Sequence, residues 1–394
     1  MGLFKDNFTL LKKASEPLYK TPKSVQQTIE IMKISECGIF EVTVGRYSKT
    51  YRFSDVNYAT RTENEQESFF QRYCKCLNSF DCTFKITVNN KNKDMELLKK
   101  DVMLSYEQDG FDKMRKSYNN IIEEKILEGR QGIEQERYIT ISIERKNFEE
   151  AKAQFTTIEN SLFKNFAELG SKLIPISGNE RLKILHDYYR LGREEEFDFD
   201  IKEGKKTGTD FRNDICNSKL KFYQDYYEDE SKVCRVLYIK KYPTYLSDRF
   251  FTELTFLPIH SITSVDVVPV PKDMTMRILQ KKYLGIESNI IKQQQTRNKN
   301  NDFSSEISYT TRRQKADIED IMNNVRENDE SLFFVGVTMV VMAENIEELD
   351  SICESVDSIA RGAGCSIDIC QYKQREALNT VLPIGVRQIE TMRT

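Results

Sequence analysis

Strand patterns and amphipathic helix patterns follow one another along this chain, and their order constrains the fold more than any other feature. In residues 82–88, apolar side chains at every second position predict a half-buried strand. Thr62 and Glu65 have the spacing of a capping box at the start of the helical pattern of residues 62–80. The helical pattern of residues 147–169 has Asn147 as a candidate N-cap and is closed by Gly170. Residues 332–343 form an apolar run rich in Val, which is typical of a strand covered on both faces.

Each half of the chain repeats the order strand–helix–strand twice. The predicted segments are 40–55, 62–80, 82–90, 136–146, 147–169 and 171–176 in the first half, with the second-half segments inside 233–270 and 332–371. This order predicts the α+β class, with two subdomains built on ferredoxin-like (split βαβ) antiparallel sheets. Helical insertions are expected at about 95–130 and 272–328.

The predicted organisation has three parts. They are an N-terminal extension over residues 1–35, a first subdomain over 36–200 and a second subdomain over 201–394, with the boundary lying somewhere in 178–230. The acidic residues 193–203 and the following GKKTG are interpreted as a solvated linker or excursion. The polar residues 293–303 are interpreted as a turn between two long helices.

Composition argues against several classes of protein. The 394 residues include 59 basic and 62 acidic ones, and this balance argues against a surface that is basic throughout and binds nucleic acid. No run approaches the roughly 18 apolar residues of a membrane helix, and the first residues lack a signal-peptide core. Nine cysteines, an odd number, indicate a reducing compartment. We therefore expect a cytoplasmic protein.

Motifs for catalysis, cofactor binding and metal binding are missing from the sequence. The GKKTG of residues 204–208 lacks the order G-x-x-x-x-G-K-[ST] that a phosphate loop requires. Cys74, Cys76 and Cys82 form the only cysteine cluster, and no histidine is near it in sequence, so packing is expected rather than zinc binding. We expect no catalytic, cofactor-binding or metal-binding residue in this chain, and we do not expect it to be an enzyme on its own.

One basic region is a candidate for contact with a partner. Residues 272–315 carry ten Lys or Arg against four Asp or Glu, and the last basic residues are Arg312, Arg313 and Lys315. Three interpretations stay open, namely a solvated helix face, a docking surface for an acidic protein, and a grip on nucleic-acid phosphates. Direct binding of nucleic acid is the least favoured of the three.

Six short segments, taken in order, carry a resemblance to a known family. They are YSKTYRFSDVNY (47–58), KITVNN (85–90), RYITIS (137–142), ERLKILHD (180–187), SVDVVPVP (264–271) and LNTVLPIGVR (378–387). Together they resemble the N-terminal region of conjugation ATPases from Gram-positive mobile elements, which belong to the CagE/TrbE/VirB family of type IV secretion ATPases. The resemblance runs from about residue 40 to the end.

The resemblance implies a non-catalytic role. In that family a larger part follows the segment that resembles residues 378–394, and it carries both nucleotide motifs and the catalytic carboxylate, so ATP and Mg²⁺ are implied only for that part. The chain resembles the N-terminal portion, either as a truncated or as a natural fragment. Asn379, Pro383, Gly385 and Arg387 fall at the position of the junction to the ATPase domain.

The family's N-terminal part docks the motor to the membrane channel components at the cytoplasmic face of the cell membrane and supports subunit assembly. The resemblance therefore implies a peripheral location, the channel components as partners, and self-association. Two alternatives stay open, a stand-alone structural assembly protein and a DNA-binding module of a conjugation system.

Overall fold

The fold is a single antiparallel sheet with helices on both faces, seen in a computed structural model that describes residues 22, 24–58, 60–92, 103–127, 133–191, 193–230, 232–299, 308–327 and 330–389. Its twelve strands are β1 (Lys33–Ile34), β2 (Ile39–Thr43), β3 (Arg46–Phe53), β4 (Thr83–Asn92), β5 (Ile133–Glu144), β6 (Leu173–Pro175), β7 (Leu220–Phe222), β8 (Tyr227–Asp229), β9 (Lys232–Lys241), β10 (Ser261–Pro269), β11 (Phe333–Ala343) and β12 (Ser366–Ile369). The predicted α+β class is confirmed.

Eleven α-helices lie within the described residues. They are α1 (Glu63–Asn78), α2 (Asp112–Leu127), α3 (Phe148–Leu169), α4 (Gly178–Tyr189), α5 (Ile201–Thr207), α6 (Arg212–Ile215), α7 (Asp248–Thr255), α8 (Lys272–Lys299), α9 (Tyr309–Glu327), α10 (Ile346–Gly362) and α11 (Gln374–Val381). None of the helices in these ranges is long and apolar enough to cross a membrane.

The two halves of the chain contribute the same arrangement of strands to the sheet. The strand order is β1–β2–β3–β5–β4–β10–β11–β9–β8–β7, with β6 also paired to β3 and β12 to β9. The order β6–β3–β5–β4 of the first half therefore matches the order β12–β9–β11–β10 of the second. The halves meet where β4 pairs antiparallel with β10, with Phe84 opposite Val267. Where the sequence predicted two sheets, this pairing makes one continuous sheet.

Helix ends follow the capping residues that the sequence predicts. The Thr62 backbone N–H donates to the Glu65 carboxylate at 3.0 Å in a capping box at the start of α1. The Asn147 side chain accepts from the Glu150 N–H at 2.9 Å, and α3 ends at Gly170, whose φ is +78°. Each side chain or glycine satisfies backbone groups that a helix end leaves unpaired, so local sequence fixes these boundaries.

Three sequence interpretations are corrected by the structure. The strand expected near 40–55 is a hairpin of β2 and β3, because Gly45 between them has a φ of +74°. The linker expected at 193–208 contains helix α5, and Gly204 within it lies against Phe199, so close that a Cβ would be 2.6 Å from the ring. Helix α8 continues to Lys299, so the polar stretch from residue 293 begins as helix.

Helices cover both faces of the sheet. Helices α1, α3, α7 and α10 pack on one face, where the buried side chains of both halves form two apolar clusters. On the other face, a third cluster joins α4, α5, α6 and α11 to both halves of the sheet. The segment that follows α11, residues 382–389, also lies on this second face and is largely buried.

The two helical insertions leave the sheet at opposite ends. Helix α2 lies between β4 and β5, whereas α8 and α9 lie between β10 and β11. Because β4 and β10 run antiparallel, the end of one lies beside the start of the other. Helix α8 has 28 residues and is about 42 Å long, and only Thr275 and Leu279 near its start are buried. The α8–α9 hairpin therefore projects from the sheet.

Candidate functional site

The predicted junction residues lie on a segment that crosses the second face of the sheet. We call residues 374–389 the C-terminal segment; it consists of α11 and the extended residues after it. Asn379, Pro383 and Gly385 are buried, and Arg387 is half-buried. The Asn379 amide donates to the Thr28 carbonyl at 2.8 Å, which connects the segment to the first described residues of the chain.

Hydroxyl side chains of the sheet hold the backbone of this segment. The bonds join Ser48 to the Ile384 carbonyl (2.6 Å), Thr50 to the Pro383 carbonyl (3.2 Å), Ser142 to the Gly385 carbonyl (3.0 Å) and Ser264 to the Val381 carbonyl (2.5 Å). Short hydroxyl side chains allow the segment to approach the sheet closely while its buried carbonyls find donors.

Lys85 is the central cation of this contact. Its side chain is 2% exposed, and its ammonium donates to the carbonyls of Thr380, of Leu382 at 3.4 Å and of Val386 at 3.0 Å. The Asp266 carboxylate of the neighbouring strand lies 3.6 Å away. Burial lowers the pKa of Lys85 and raises the pKa of Asp266, while the opposite charge of each partner acts against these shifts. The ammonium thus joins both halves of the sheet to the C-terminal segment.

Arg181 makes a second buried contact to the segment. Its guanidinium donates to the Gly38 carbonyl at 2.9 Å, to the Ser48 carbonyl at 2.8 Å and to the Pro383 carbonyl at 3.2 Å. It also lies 4.0 Å from the centre of the Phe40 ring. Burial lowers the pKa of Arg181 to about 9. The planar guanidinium therefore ties α4, the β2–β3 hairpin and the C-terminal segment together.

Gly385 occupies a position where no side chain fits. Its φ is +83°, a left-handed conformation that favours glycine. A Cβ there would lie 2.5 Å from the Ser142 hydroxyl and 2.6 Å from the Ser48 Cβ. The close approach of backbone to sheet at this point depends on glycine.

All six segments that carry the family resemblance meet at this contact. Each contributes at least one of its groups: Ser48 and Thr50, Lys85, Ser142, Arg181, Ser264 and Asp266, and the carbonyls of residues 380–386. They are spread over more than 300 residues of sequence and are brought together by the folding of both halves of the sheet.

The sequence indicates the junction residues but not the side chains that hold them. In β4, Lys85 and Thr87 alternate with apolar residues and were interpreted as the solvent side of a half-buried strand. They are 2% and 0% exposed, so that interpretation is wrong for β4. The signal that was available is the unusual density of Ser and Thr on the polar side of β3, β5 and β10, which suits a buried backbone contact better than open water.

The three candidate partner contacts on α9 differ in their surroundings. Arg312 and Arg313 are exposed. Lys315 is half-buried, with its ammonium 3.0 Å from the Glu287 carboxylate of α8 and 5.1 Å from the centre of the Tyr283 ring. The hydrogen bond to Glu287 raises the pKa of Lys315. Lys315 therefore joins the two helices of the hairpin, whereas Arg312 and Arg313 lie exposed on its surface.

The side chains around the C-terminal segment can hold its backbone in a fixed position. The ammonium of Lys85, the guanidinium of Arg181 and the surrounding hydroxyls donate to backbone carbonyls in a buried site. Within the described residues, no group of three or more His, Cys, Asp or Glu side chains is placed to hold a metal ion. All nine cysteines lie in the described ranges and are free thiols.

An apolar cavity of about 220 Å³ lies elsewhere, on the opposite face of the sheet between α1 and α3. Aromatic residues dominate its wall, among them Phe53, Phe69 and Phe166. Asp55, Ser54 and Ser171 also line it, but none of them takes part in the contact with the C-terminal segment.

Comparisons with known proteins leave the family undecided. A scan against models of protein families finds no match, and a search of curated proteins finds no related sequence.

Proposed function

We propose that this chain is the non-catalytic N-terminal part of a conjugative-transfer ATPase of the CagE/TrbE/VirB family, which docks the motor to the membrane channel and supports subunit assembly. The observation that carries the proposal is the convergence of all six resembling segments on the C-terminal segment. A backbone fixed by Lys85 and Arg181 to both halves of the sheet would hold a following motor domain at a defined place.

The proposal includes two ferredoxin-like subdomains. The strand orders β6–β3–β5–β4 and β12–β9–β11–β10 support it, since the split βαβ unit interleaves its strands in this way. Helices α1 and α3 on one unit, and α7 and α10 on the other, pack on the same face of the sheet, as that unit requires. The ranges 36–200 and 201–394 remain the predicted subdomain boundaries.

Contact with the membrane channel is assigned to the far end of the α8–α9 hairpin. Arg312 and Arg313 are exposed there, and the described residues 288–299 and 308–314 carry five basic side chains and no acidic one. A basic, projecting surface suits an acidic region of a channel protein at the cytoplasmic face of the membrane. The peripheral location belongs to the same proposal.

Co-purification with the channel proteins tests this assignment. The tagged chain is incubated with detergent-solubilised channel components encoded by the same element, and the bound fraction is measured. R312E/R313E is expected to lower the affinity about tenfold or more. R277E/R326E is the matched control, because it makes the same charge change at two exposed arginines near the base of the hairpin. Equal binding by wild type and R312E/R313E would remove this segment from the proposal.

A nucleotide assay tests the non-catalytic part of the proposal. The purified chain is expected to release no phosphate from ATP and Mg²⁺ above a buffer control, because both are assigned to the motor domain. Turnover that disappears when one of the chain's own residues is substituted would contradict the proposal. Reading the coding sequence after codon 394 distinguishes a motor fragment from a stand-alone assembly protein.

One observation favours DNA binding as the second candidate function. Helix α8 carries seven basic and two acidic residues, and most of its length is exposed. A true DNA-binding surface gives an affinity that falls steeply and linearly on a log–log plot against salt. We expect weak binding that is lost at physiological salt. Tight binding, with a slope of log affinity against log salt that corresponds to several neutralised phosphates, would favour the DNA-binding function instead.

A further inference from the structure

Helix α2 exposes a row of large apolar side chains. Phe111 lies just before the helix, and Met114, Tyr118 and Ile121 lie within it; these four side chains are 60%, 71%, 42% and 51% exposed. Their spacing of three, four and three residues places them on one side of the helix. Residues at this spacing form the narrow apolar seam along which one helix packs against another. We call these four side chains the α2 stripe.

In the insertion of the second half of the chain, apolar residues have the same spacing, and there two helices pack against each other along them. Among the buried and half-buried residues, those at this spacing are Met276, Leu279, Tyr283, Ile286 and Ile290 on α8, and Thr311, Lys315, Ile318, Met322 and Val325 on α9. The helices α8 and α9 contact each other, with Lys315 bonded to Glu287 across the seam. In the corresponding insertion of the first half, α2 has no helix against its stripe within the described part of the chain.

The charges near α2 favour a protein occupant over a membrane or a nucleic acid. Residues 103–122 carry three acidic and three basic side chains: Glu107, Asp109, Asp112, Lys113, Arg115 and Lys116. Arg115 is engaged within the chain, 3.1 Å from Glu107 and 2.9 Å from Asp112. A helix that lies on an anionic membrane needs a polar face rich in Lys and Arg, and a nucleic-acid surface needs a net positive charge. This region has neither.

The exposed area is large enough for an interface between two copies. Leu104 and Tyr106 in the preceding loop are 48% and 58% exposed. Together with the α2 stripe they make six large side chains, each with on the order of 100 Å² left open. Complete covering of all six side chains on both copies would bury about 1,200 Å², which is the lower end of the range for specific interfaces.

We propose that α2 pairs with α2 of a second copy of this chain, antiparallel and across a two-fold axis. A two-fold axis places the same stripe on both sides, so the four side chains are complementary to themselves. The pair reproduces between copies the helix packing that α8 and α9 make within one copy. This inference does not depend on the proposed role in conjugation, because it follows from α2 and its surroundings alone.

Sedimentation velocity on the full chain tests the pairing. The wild type is expected to show a reversible monomer–dimer equilibrium between low micromolar and submillimolar concentration. M114E and Y118E each place a charge in the seam and are expected to weaken the dimer about tenfold or more. N120E is the matched control, since Asn120 is an exposed residue of the same helix outside the stripe. Circular dichroism verifies that all variants are folded.

Several outcomes would overturn the inference. A wild type that stays monomeric at every concentration would do so and would leave residues 93–102 of the same chain, or another protein, as the occupant of the stripe. A dimer that M114E and Y118E do not weaken would place the interface elsewhere. A monomer that binds phosphatidylglycerol vesicles, ignores phosphatidylcholine vesicles and loses that binding in Y118E would favour a membrane instead.

Discussion

Lys85 and Asp266 face each other across the boundary between the two halves of the sheet. They are direct partners in the β4–β10 register, and their charged groups are 3.6 Å apart. The same ammonium donates to carbonyls of the C-terminal segment. One side chain thus connects three parts of the molecule that are far apart in sequence, and its removal has consequences for all three.

Replacement of Lys85 by Met should destabilise the protein strongly. K85M removes the ammonium from the buried Asp266 carboxylate and from several carbonyls, and we expect the free energy of unfolding to fall by about 3–5 kcal/mol. Urea denaturation measures the loss. K205M is the control, because both side chains of the Lys205–Glu36 pair are exposed, at 58% and 47%, and its loss should change the free energy of unfolding little.

A second variant keeps this prediction testable. K85M/D266L removes both charges, so it should recover part of the stability that K85M loses. Hydrogen exchange of the amides of residues 380–382 and 384–386 should be faster in K85M than in the wild type. Unchanged exchange there would mean that the ammonium does not hold the segment.

Gly385 should tolerate no side chain. G385A adds a Cβ in a left-handed conformation and forces it against Ser48 and Ser142, so we expect a loss of about 3–5 kcal/mol. Gly208 is the matched control: its φ is +73°, but a Cβ there meets nothing within 4 Å. G208A should cost only about 1 kcal/mol. Thermal unfolding of the two variants separates the clash from the backbone strain.

Sequence predicted the regular elements well, because each depends on neighbouring residues. The capping box at Thr62 and the Asn147 cap determine where α1 and α3 begin without help from distant parts of the chain. The strands β1, β7 and β8 were missed because two or three residues display no period of two and because, unlike the equally short β6, they lie outside the repeated strand–helix–strand order. The helices α5 and α6 were missed because they fell in a region interpreted as a boundary.

Long-range contacts explain the other features of the structure that the sequence did not predict. The polar side of β4 looks solvent-facing in the sequence because the residues that cover it, 380–386, lie almost 300 positions away. The single sheet arises because β4 of the first half pairs with β10 of the second half. This pairing of two edge strands produces no recognisable pattern in the local sequence. The junction residues were named only through the resemblance, and the role of Arg181 required the fold itself.

The Lys315–Glu287 pair should make a small contribution to the hairpin. The charged groups are 3.0 Å apart, but both side chains are about one-third exposed, so water and salt screen the attraction. K315E should lower the free energy of unfolding only slightly, and the charge swap K315E/E287K should restore it. R312E/R313E should leave thermal stability unchanged, because neither arginine is buried; a large loss would show that these residues serve the fold rather than a partner.

His260 should make the stability depend on pH in the acidic range. It is buried, and burial lowers its pKa to about 4, whereas an unfolded histidine has a pKa of about 6.5. Between these values the unfolded chain binds a proton that the folded chain does not, so the folded state loses stability as the pH falls from 6.5 to 4. The full effect corresponds to about 3 kcal/mol.

The buried Asp229 has the opposite effect on the pH dependence of stability, so its contribution must be separated from that of His260. Burial raises the pKa of Asp229 to about 7, so this carboxyl group favours the folded state at low pH and loses that effect as the pH rises toward 7. The unfolding free energy of the wild type, measured against pH, therefore understates the contribution of His260. The difference in unfolding free energy between wild type and H260L, measured by urea denaturation from pH 7 to pH 4, isolates it and should shift in favour of H260L as the pH falls. A difference that is constant over this range would mean that His260 is as accessible to protons in the folded protein as in the unfolded chain.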